Sequence, residues 1–143
     1  MQDRFRFRVW NIKNKEMIYN AEIAYDGTNY NTKWQIGNNT NDGHVDCFGY
    51  YLDYEHEDYE IMQCTGMKDK NGKLIYEGDI IQIPDDYDTY GMFAGEKREI
   101  YFNEGGFRLK PKWNKNSRGN WLEDTKDFEV IGNIYENPEL LEN

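Results

Sequence analysis

"CTGMKDKNGKLIYEGDIIQI" runs from Cys64 to Ile83, and its reading decides the fold. A polar segment with Asp69 and Asn71-Gly72 precedes Leu74-Ile75-Tyr76, and Glu77-Gly78-Asp79 precedes Ile80-Ile81-Gln82-Ile83. Asn and Gly punctuate a chain because they tolerate the left-handed backbone that tight turns need. Isoleucines bounded by Gly78 and Pro84 read as a strand. The stretch is thus expected to be a turn at Lys68–Gly72, with Gly78-Asp79 as the entry to a barrel strand. Gly78 would supply a positive φ, and Asp79 would accept hydrogen bonds from loop amides, as in an Asx turn. Asn71, Gly72, Gly78 and Asp79 are therefore assigned as structural turn residues. The order of lysines and glycines in "GMKDKNGK" does not fit a phosphate-cradling loop.

Working outward, "RFRFRVW" near the N-terminus alternates arginine with hydrophobe. Period-2 alternation predicts a strand with one face buried, with Phe5, Phe7 and Val9 inward and Arg4, Arg6 and Arg8 outward. "NIKNKEM" offers a turn, and Met17-Ile18-Tyr19 resumes the apolar run. Residues 20–45 read as irregular, with Trp34 and Ile36 as anchors and "IGNNTNDG" (Ile36 to Gly43) as the most loop-like stretch. Strands are expected within 44–63. Downstream, "REIYFNEGGFRLKPKW" predicts two strands around Asn103-Glu104-Gly105-Gly106, a plausible hairpin tip. "PDDYDTYGMFAGE" and "NKNSRGN" read as loops. A further strand is expected near Phe128–Ile134, and Pro138 to Asn143 could supply a single helical turn. Short strands separated by turn signals predict a small barrel or sandwich.

The bulk properties agree with a β-rich chain. At 143 residues it has room for one core, or for two small subdomains sharing one. Aromatic residues reach 16%, which favours pleated, half-buried surfaces and argues against disorder. The mean hydropathy of −1.02 requires a compact core. The net charge is −10 and the pI about 4.7, so a general affinity for nucleic acid is disfavoured, double-stranded DNA included. The charge is uneven: residues 41–60 hold seven Asp/Glu and no Lys/Arg, whereas residues 1–20 hold five Lys/Arg and two Asp/Glu. There are two cysteines, no secretory h-region at the N-terminus, and no run approaching ~18 apolar residues. The expectation is a cytoplasmic protein with reduced thiols and no membrane association.

Candidate chemistry is sparse. His44 and Cys47 form one H-x2-C unit without a second pair, so metal binding is not predicted. "DYEHEDYE" gathers Asp53, Glu55, Glu57, Asp58 and Glu60 around His56, but it lacks the D-x-[DN]-x-[DN]-G calcium pattern and reads as a solvated acidic face. Ser117 is the single serine, in a basic loop, and Cys47 with His44 or His56 is the only other nucleophile–base candidate. No dinucleotide or P-loop motif occurs. Trp113 and Trp121 lie among Lys110, Lys112, Lys115 and Arg118. Such interleaving can stack single-stranded nucleic acid. The acidic chain favours the alternative, in which the rings pack on the barrel beneath basic side chains.

Three blocks carry a family resemblance: "FRFRVWNIKNKEM" (Phe5 to Met17), "MQCTGMKDKNGKLIYEGDII" (Met62 to Ile81) and "VIGNIYENPELL" (Val130 to Leu141). Together they resemble the YopX family of phage and prophage proteins. That family's pattern opens with K-F-R-x-W-D, centres on M-Q-x-T-G-L-K-D-K-N-G-x-x-I-Y-E-G-D-I-V, and ends with G-N-I-Y-E-N-P-E-L-L. Val9, Asn11, Cys64 and Met67 depart from it, and residues 18–61 match no motif of the pattern. The resemblance implies a mainly β protein of two subdomains, the C-terminal one similar to an SH3-like barrel. It also implies a phage or prophage origin and a site of action in the bacterial cytoplasm. It brings no activity, cofactor or catalytic residue.

The combined expectation is a mainly β protein with little helix, divided into an N-terminal subdomain over 1–61 and an SH3-like barrel over 62–143. The expected role is that of a non-enzymatic accessory protein binding a protein partner, with self-association into a homo-oligomer also expected. Catalytic, cofactor-binding and metal-binding residues are expected to be none. Asp53, Glu55, Glu57, Asp58 and Glu60 are the candidate partner-facing surface. An alternative is an acidic DNA mimic or counter-defence protein, whose carboxylates stand where an enzyme expects phosphates. An enzyme using Cys47 with a histidine, or the acidic cluster, ranks below both.

Overall fold

A computed structural model describes residues 6–26, 33–39, 45–51, 59–87, 94–112 and 119–142; at residue 20 and within 22–51 only the backbone is described. The chain divides into two compact units, Met1–Gln63 and Cys64–Asn143. The architecture is mainly β with almost no helix among the described residues.

The first unit holds strands β1 (Phe7–Asn11), β2 (Glu16–Asp26), β3 (Lys33–Asn39), β4 (Val45–Tyr51) and the start of β5 (Tyr59–Lys68). They pair antiparallel in the order β4-β3-β2-β1-β5. A tight turn joins β1 to β2: the Asn14 N–H donates to the Asn11 side-chain oxygen at 3.1 Å, and Lys15 takes a left-handed φ of 55°. Val9 lies opposite both Ile18 and Ile61 and forms a small core with Ala21, against which Tyr59 and Ile61 pack.

Two expectations for this unit need correction. Arg8 does not face water: it is 1% exposed, and Val9, Trp10 and Asn11 are buried beside it. β1 is an interior strand between β2 and β5, and residues on both of its faces are buried, Arg8 and Trp10 on one and Val9 and Asn11 on the other. Alternation marked the strand but not the environment of its polar side. Residues 20–45 are also not irregular throughout. β2 runs to Asp26 and β3 takes up 33–39, including Ile36–Asn39, which had read as loop. Here the ladder overrides weak strand propensity. Trp34 pairs with Tyr51 and Asn38 with Asp46, and a bulge sits between Ile36 and Gly37. Residues 40–43 lie outside the described residues.

The second unit begins within β5, whose Cys64 and Lys68 pair with Tyr76 and Leu74 of β6 (Leu74–Tyr76). Then come β7 (Asp79–Gln82), β8 (Lys97–Asn103), β9 (Gly106–Leu109), β10 (Asn120–Trp121) and β11 (Glu129–Asn133). These five form a curled half-barrel in the order β10-β9-β8-β7-β11, consistent with the barrel-like fold expected. Glu104 (φ 47°) and Gly105 (φ 83°) make the β8–β9 hairpin turn, two left-handed residues whose twist matches the strands they join. β10 was not anticipated. It is two residues long and shows no alternation to read.

The barrel core consists of Ile75, Ile81, Ile83, Ile100, Leu109, Leu122 and Phe128, with Met67, Tyr87, Phe107 and Val130 packed against it. The four isoleucines are fully buried, and each stabilises the fold by about 1.5–3 kcal/mol through apolar burial. After β11, Pro138–Leu141 forms one 3-10 turn with Pro138 at its start.

Candidate functional site

The polar residues of the family-like blocks are largely committed to the backbone. Asp69 is buried, and its Oδ1 accepts the N–H groups of Asn71 and Lys73, each at 2.9 Å. Its Oδ2 accepts the Val130 N–H at 3.0 Å. Beside it, the Lys70 N–H donates to the Phe128 carbonyl at 2.8 Å and the Thr125 hydroxyl to the Lys68 carbonyl at 2.6 Å. Burial pushes the Asp69 carboxyl up. The three amide hydrogen bonds together with the Lys73 charge outweigh it, and the pKa is lowered from the ordinary 3.8. Gly72 closes the turn at φ +79°, donating to the Asp69 carbonyl at 3.0 Å, and Asn71 contributes its amide rather than its side chain.

Gly78 and Asp79 form a second junction. Gly78 has φ +80°; its N–H donates to the Ile100 carbonyl at 2.7 Å, and its carbonyl accepts the Ile134 N–H at 2.9 Å. Asp79, 1% exposed, accepts the Tyr76 N–H at 2.8 Å. This amide lies upstream, so the carboxylate closes the β6–β7 turn from behind.

At the C-terminus Asn133 Oδ1 accepts the N–H groups of Tyr135 (3.0 Å) and Glu136 (2.8 Å), while Asn137 Oδ1 accepts the Asn133 N–H at 3.2 Å. Sequence reasoning missed Asp69, Asn133 and Asn137 as anchors. The Asp-x-x-Gly spacing of 69–72 was the available signal for the first, and Asn before Pro138 for the last.

Among the described residues, this unit holds a cleft of about 470 Å³. One wall is Glu96–Glu99, leading into and along β8, and another is Lys110–Lys112 after β9. Leu140, Leu141 and Glu142, at the end of the 3-10 turn, complete it. Arg98 Nε pairs with Glu96 at 2.7 Å, and the same guanidinium donates to the Lys110 carbonyl at 2.7 Å. Lys110 Nζ pairs with Glu99 at 2.9 Å. Two of the carboxylates in the lining are thus paired with cations of the lining, Glu96 within its own wall and Glu99 across to Lys110. Lys97, Lys112 and Leu141 remain exposed at the rim.

The aromatic and basic residues of 110–121 do not gather into one surface among the described residues. The Trp121 ring lies over Gly106, with the Arg108 guanidinium 3.6 Å from its centroid. Arg108 in turn donates to the carbonyls of Asn103 (3.2 Å) and Gly119 (3.1 Å). A basic side chain does cover this tryptophan, but it comes from the neighbouring strand. Lys110 and Lys112 line the cleft, while Trp113, Lys115, Ser117 and Arg118 lie outside the described residues.

Of the proposed acidic surface, Asp53, Glu55, Glu57 and Asp58 also lie outside them, as do His44 and His56. Glu60 is a half-buried residue of β5, opposite Trp10. Cys47 is in β4 opposite Gly37, and Cys64 is a buried free thiol. Among the described residues no group of three or more His, Cys, Asp or Glu is arranged to hold a metal ion.

The family model described as "YopX protein" matches residues 6–142. The chain belongs to the YopX family. Two solved structures share the fold along almost the whole length. Protein EF1440 from Enterococcus faecalis is 34% identical, with a TM-score of 0.59, over 96% of this chain and 97% of the other. The yopX protein from Bacillus subtilis is 23% identical, with a TM-score of 0.56, over 97% and 99%. No curated protein matches the chain. The YopX match takes in the second and third sequence blocks and all of the first but Phe5, and so includes Asp69, Asp79, Asn133 and Asn137, whose side chains hold backbone amides.

Proposed function

We propose that this YopX-family chain is a non-enzymatic accessory protein of phage or prophage origin, working in the bacterial cytoplasm by binding a protein partner through its C-terminal unit. The observation that carries the reading is how the motif residues are used. Among the described residues of the three blocks, Asp69, Asp79, Asn133 and Asn137 carry polar groups of a kind that could serve a reaction, and all four hold backbone amides. A buried carboxylate already accepting three N–H groups has little remaining capacity to act as a general base. The cleft, by contrast, is bordered by the exposed side chains of Lys97, Lys112 and Leu141, a mixed polar and apolar surface that a partner could cover.

The test is affinity purification of the tagged full-length chain from bacterial cells carrying the corresponding phage or prophage, read by quantitative mass spectrometry. The reading expects one protein recovered in near-stoichiometric amount and surviving a salt wash. Recovery of the tagged chain alone, across expression levels and growth phases, overturns it.

A further inference from the structure

We infer that the Asn71-Gly72 peptide is a site of spontaneous deamidation, a modification whose rate is set by the turn around Asp69. The inference stands apart from the binding-module reading above and concerns the chemistry of the fold itself.

Asn71 is the one asparagine of the chain that precedes a glycine. The pairing is decisive because the attacking group is the backbone nitrogen of the following residue, and glycine has no Cβ to hinder it. Attacker and target belong to adjacent residues, so the ring closure is intramolecular. The Gly72 amide gives up its proton to solvent base, and its nitrogen bonds to Asn71 Cγ. The Cγ–Nδ2 bond breaks, ammonia leaves, and a succinimide ring remains. Water then opens the ring on either side of its nitrogen. Opening at Cγ leaves aspartate. Opening at the main-chain carbonyl leaves isoaspartate, with the backbone running through Cβ and Cγ. Asn71 and Gly72 are both exposed, so water and base reach them.

The folded turn opposes the first step. The Gly72 N–H donates to the Asp69 carbonyl at 3.0 Å, and the Asp69 N–H donates to the Lys73 carbonyl at 2.8 Å. The Asp69 carboxylate accepts the Asn71 and Lys73 N–H groups at 2.9 Å each. The attacking nitrogen is therefore held toward Asp69, with a pinned amide before it and another after it. It must give up its own hydrogen bond to reach Cγ. An ionised carboxylate on the neighbouring amides also disfavours the negative charge that develops on this nitrogen. The product has consequences because the turn is tied to distant chain. Asp69 Oδ2 accepts the Val130 N–H at 3.0 Å, and the Lys70 N–H donates to the Phe128 carbonyl at 2.8 Å. Isoaspartate inserts a methylene between the amides of residues 71 and 73, so one carboxylate oxygen no longer meets both in this geometry. The turn then loses part of its hold on β11. Aspartate at position 71 leaves the backbone length unchanged.

The experiment incubates the full-length chain at mildly alkaline pH, folded in buffer and unfolded in guanidinium chloride. Peptide mapping by liquid chromatography and mass spectrometry reads Asn71 as amide, aspartate or isoaspartate. In denaturant Asn71 is expected to convert faster than any other asparagine of the chain. Gly72→Ala should slow that unfolded reaction, a comparison in which folding plays no part. In buffer the native chain should convert more slowly by about tenfold or more, since a hydrogen bond must break before attack. Asp69→Asn, kept well below its urea midpoint, should react faster than the folded native chain. The purified isoaspartate form should unfold at lower urea than both the native chain and the Asn71→Asp variant. Conversion of Asn71 in denaturant no faster than that of other asparagines overturns the site. Equal rates in the folded and unfolded chain, or in Asp69→Asn and the native chain, overturn the control by the turn. An isoaspartate form with the native urea midpoint overturns the link to β11.

Discussion

The Asp69 carboxylate holds the Val130 N–H at 3.0 Å, joining two segments 61 positions apart. The same carboxylate closes its own turn on Asn71 and Lys73, so one ionised side chain fixes a loop and anchors β11. β11 lies at an edge of the five-stranded sheet, where unpaired amides invite pairing with another chain. Asp69 occupies one of those amides and Asn137 another, that of Asn133.

A pH dependence follows from this. The folded-state pKa of Asp69 lies below 3.8, so the unfolded chain binds its proton first as pH falls. The stabilisation is fully present above the unfolded value and is lost as pH drops through the folded one. The native chain should hold a constant midpoint of urea unfolding from neutral pH to about pH 5, then lose stability below it. Asp69→Asn should cost about 1–3 kcal/mol at neutral pH, and the gap to the native chain should narrow in acid. A gap independent of pH would show that the charge contributes nothing beyond shape.

How much of this was legible depends on whether the determinant is local. Ile80, Ile81 and Ile83 between Gly78 and Pro84 named their strand, and Asn103–Gly106 named its hairpin, because turn chemistry and β-branching act within a few residues. Arg8 was misread because alternation reports which side a residue takes, not what covers that side. β3 was missed since its stability comes from pairing with β2 and β4 rather than from its Asn- and Gly-containing sequence. Asp69 lies in the most recognisable block of the chain, yet its partner Val130 is set by tertiary register, which no local pattern encodes. The cleft was equally unreadable, since it is lined by segments around positions 96, 111 and 141.

Gly132 offers a test of the C-terminal anchor. A Cβ at this position would lie 2.5 Å from the Asn137 side-chain oxygen and 2.8 Å from its Cγ. The asparagine would have to leave, releasing the Asn133 N–H it accepts. Gly132→Ala should therefore destabilise by about 1–3 kcal/mol, as overpacking does. Asn137→Ala should cost a comparable amount, and the double variant little more than either alone, because both remove the same contact. Additive losses in thermal melts would mean that the two residues act separately.

Arg108 and Trp121 offer a different test, since cross-strand pairing puts them opposite each other on β9 and β10. The guanidinium lies 3.6 Å from the ring centroid, yet its N–H groups also reach two carbonyls. Three contributions are therefore mixed in any single Arg108 substitution. A double-mutant cycle with Arg108→Lys and Trp121→Leu isolates the stacking, because Trp121 takes no part in the carbonyl bonds. The ring is 52% exposed and the arginine 7%, so the coupling should fall at about 0.5–2 kcal/mol, between a solvated and a desolvated cation–π pair. Urea unfolding of the four chains measures it. Strictly additive losses would assign the packing of β10 to Gly106, whose missing side chain leaves room for the indole.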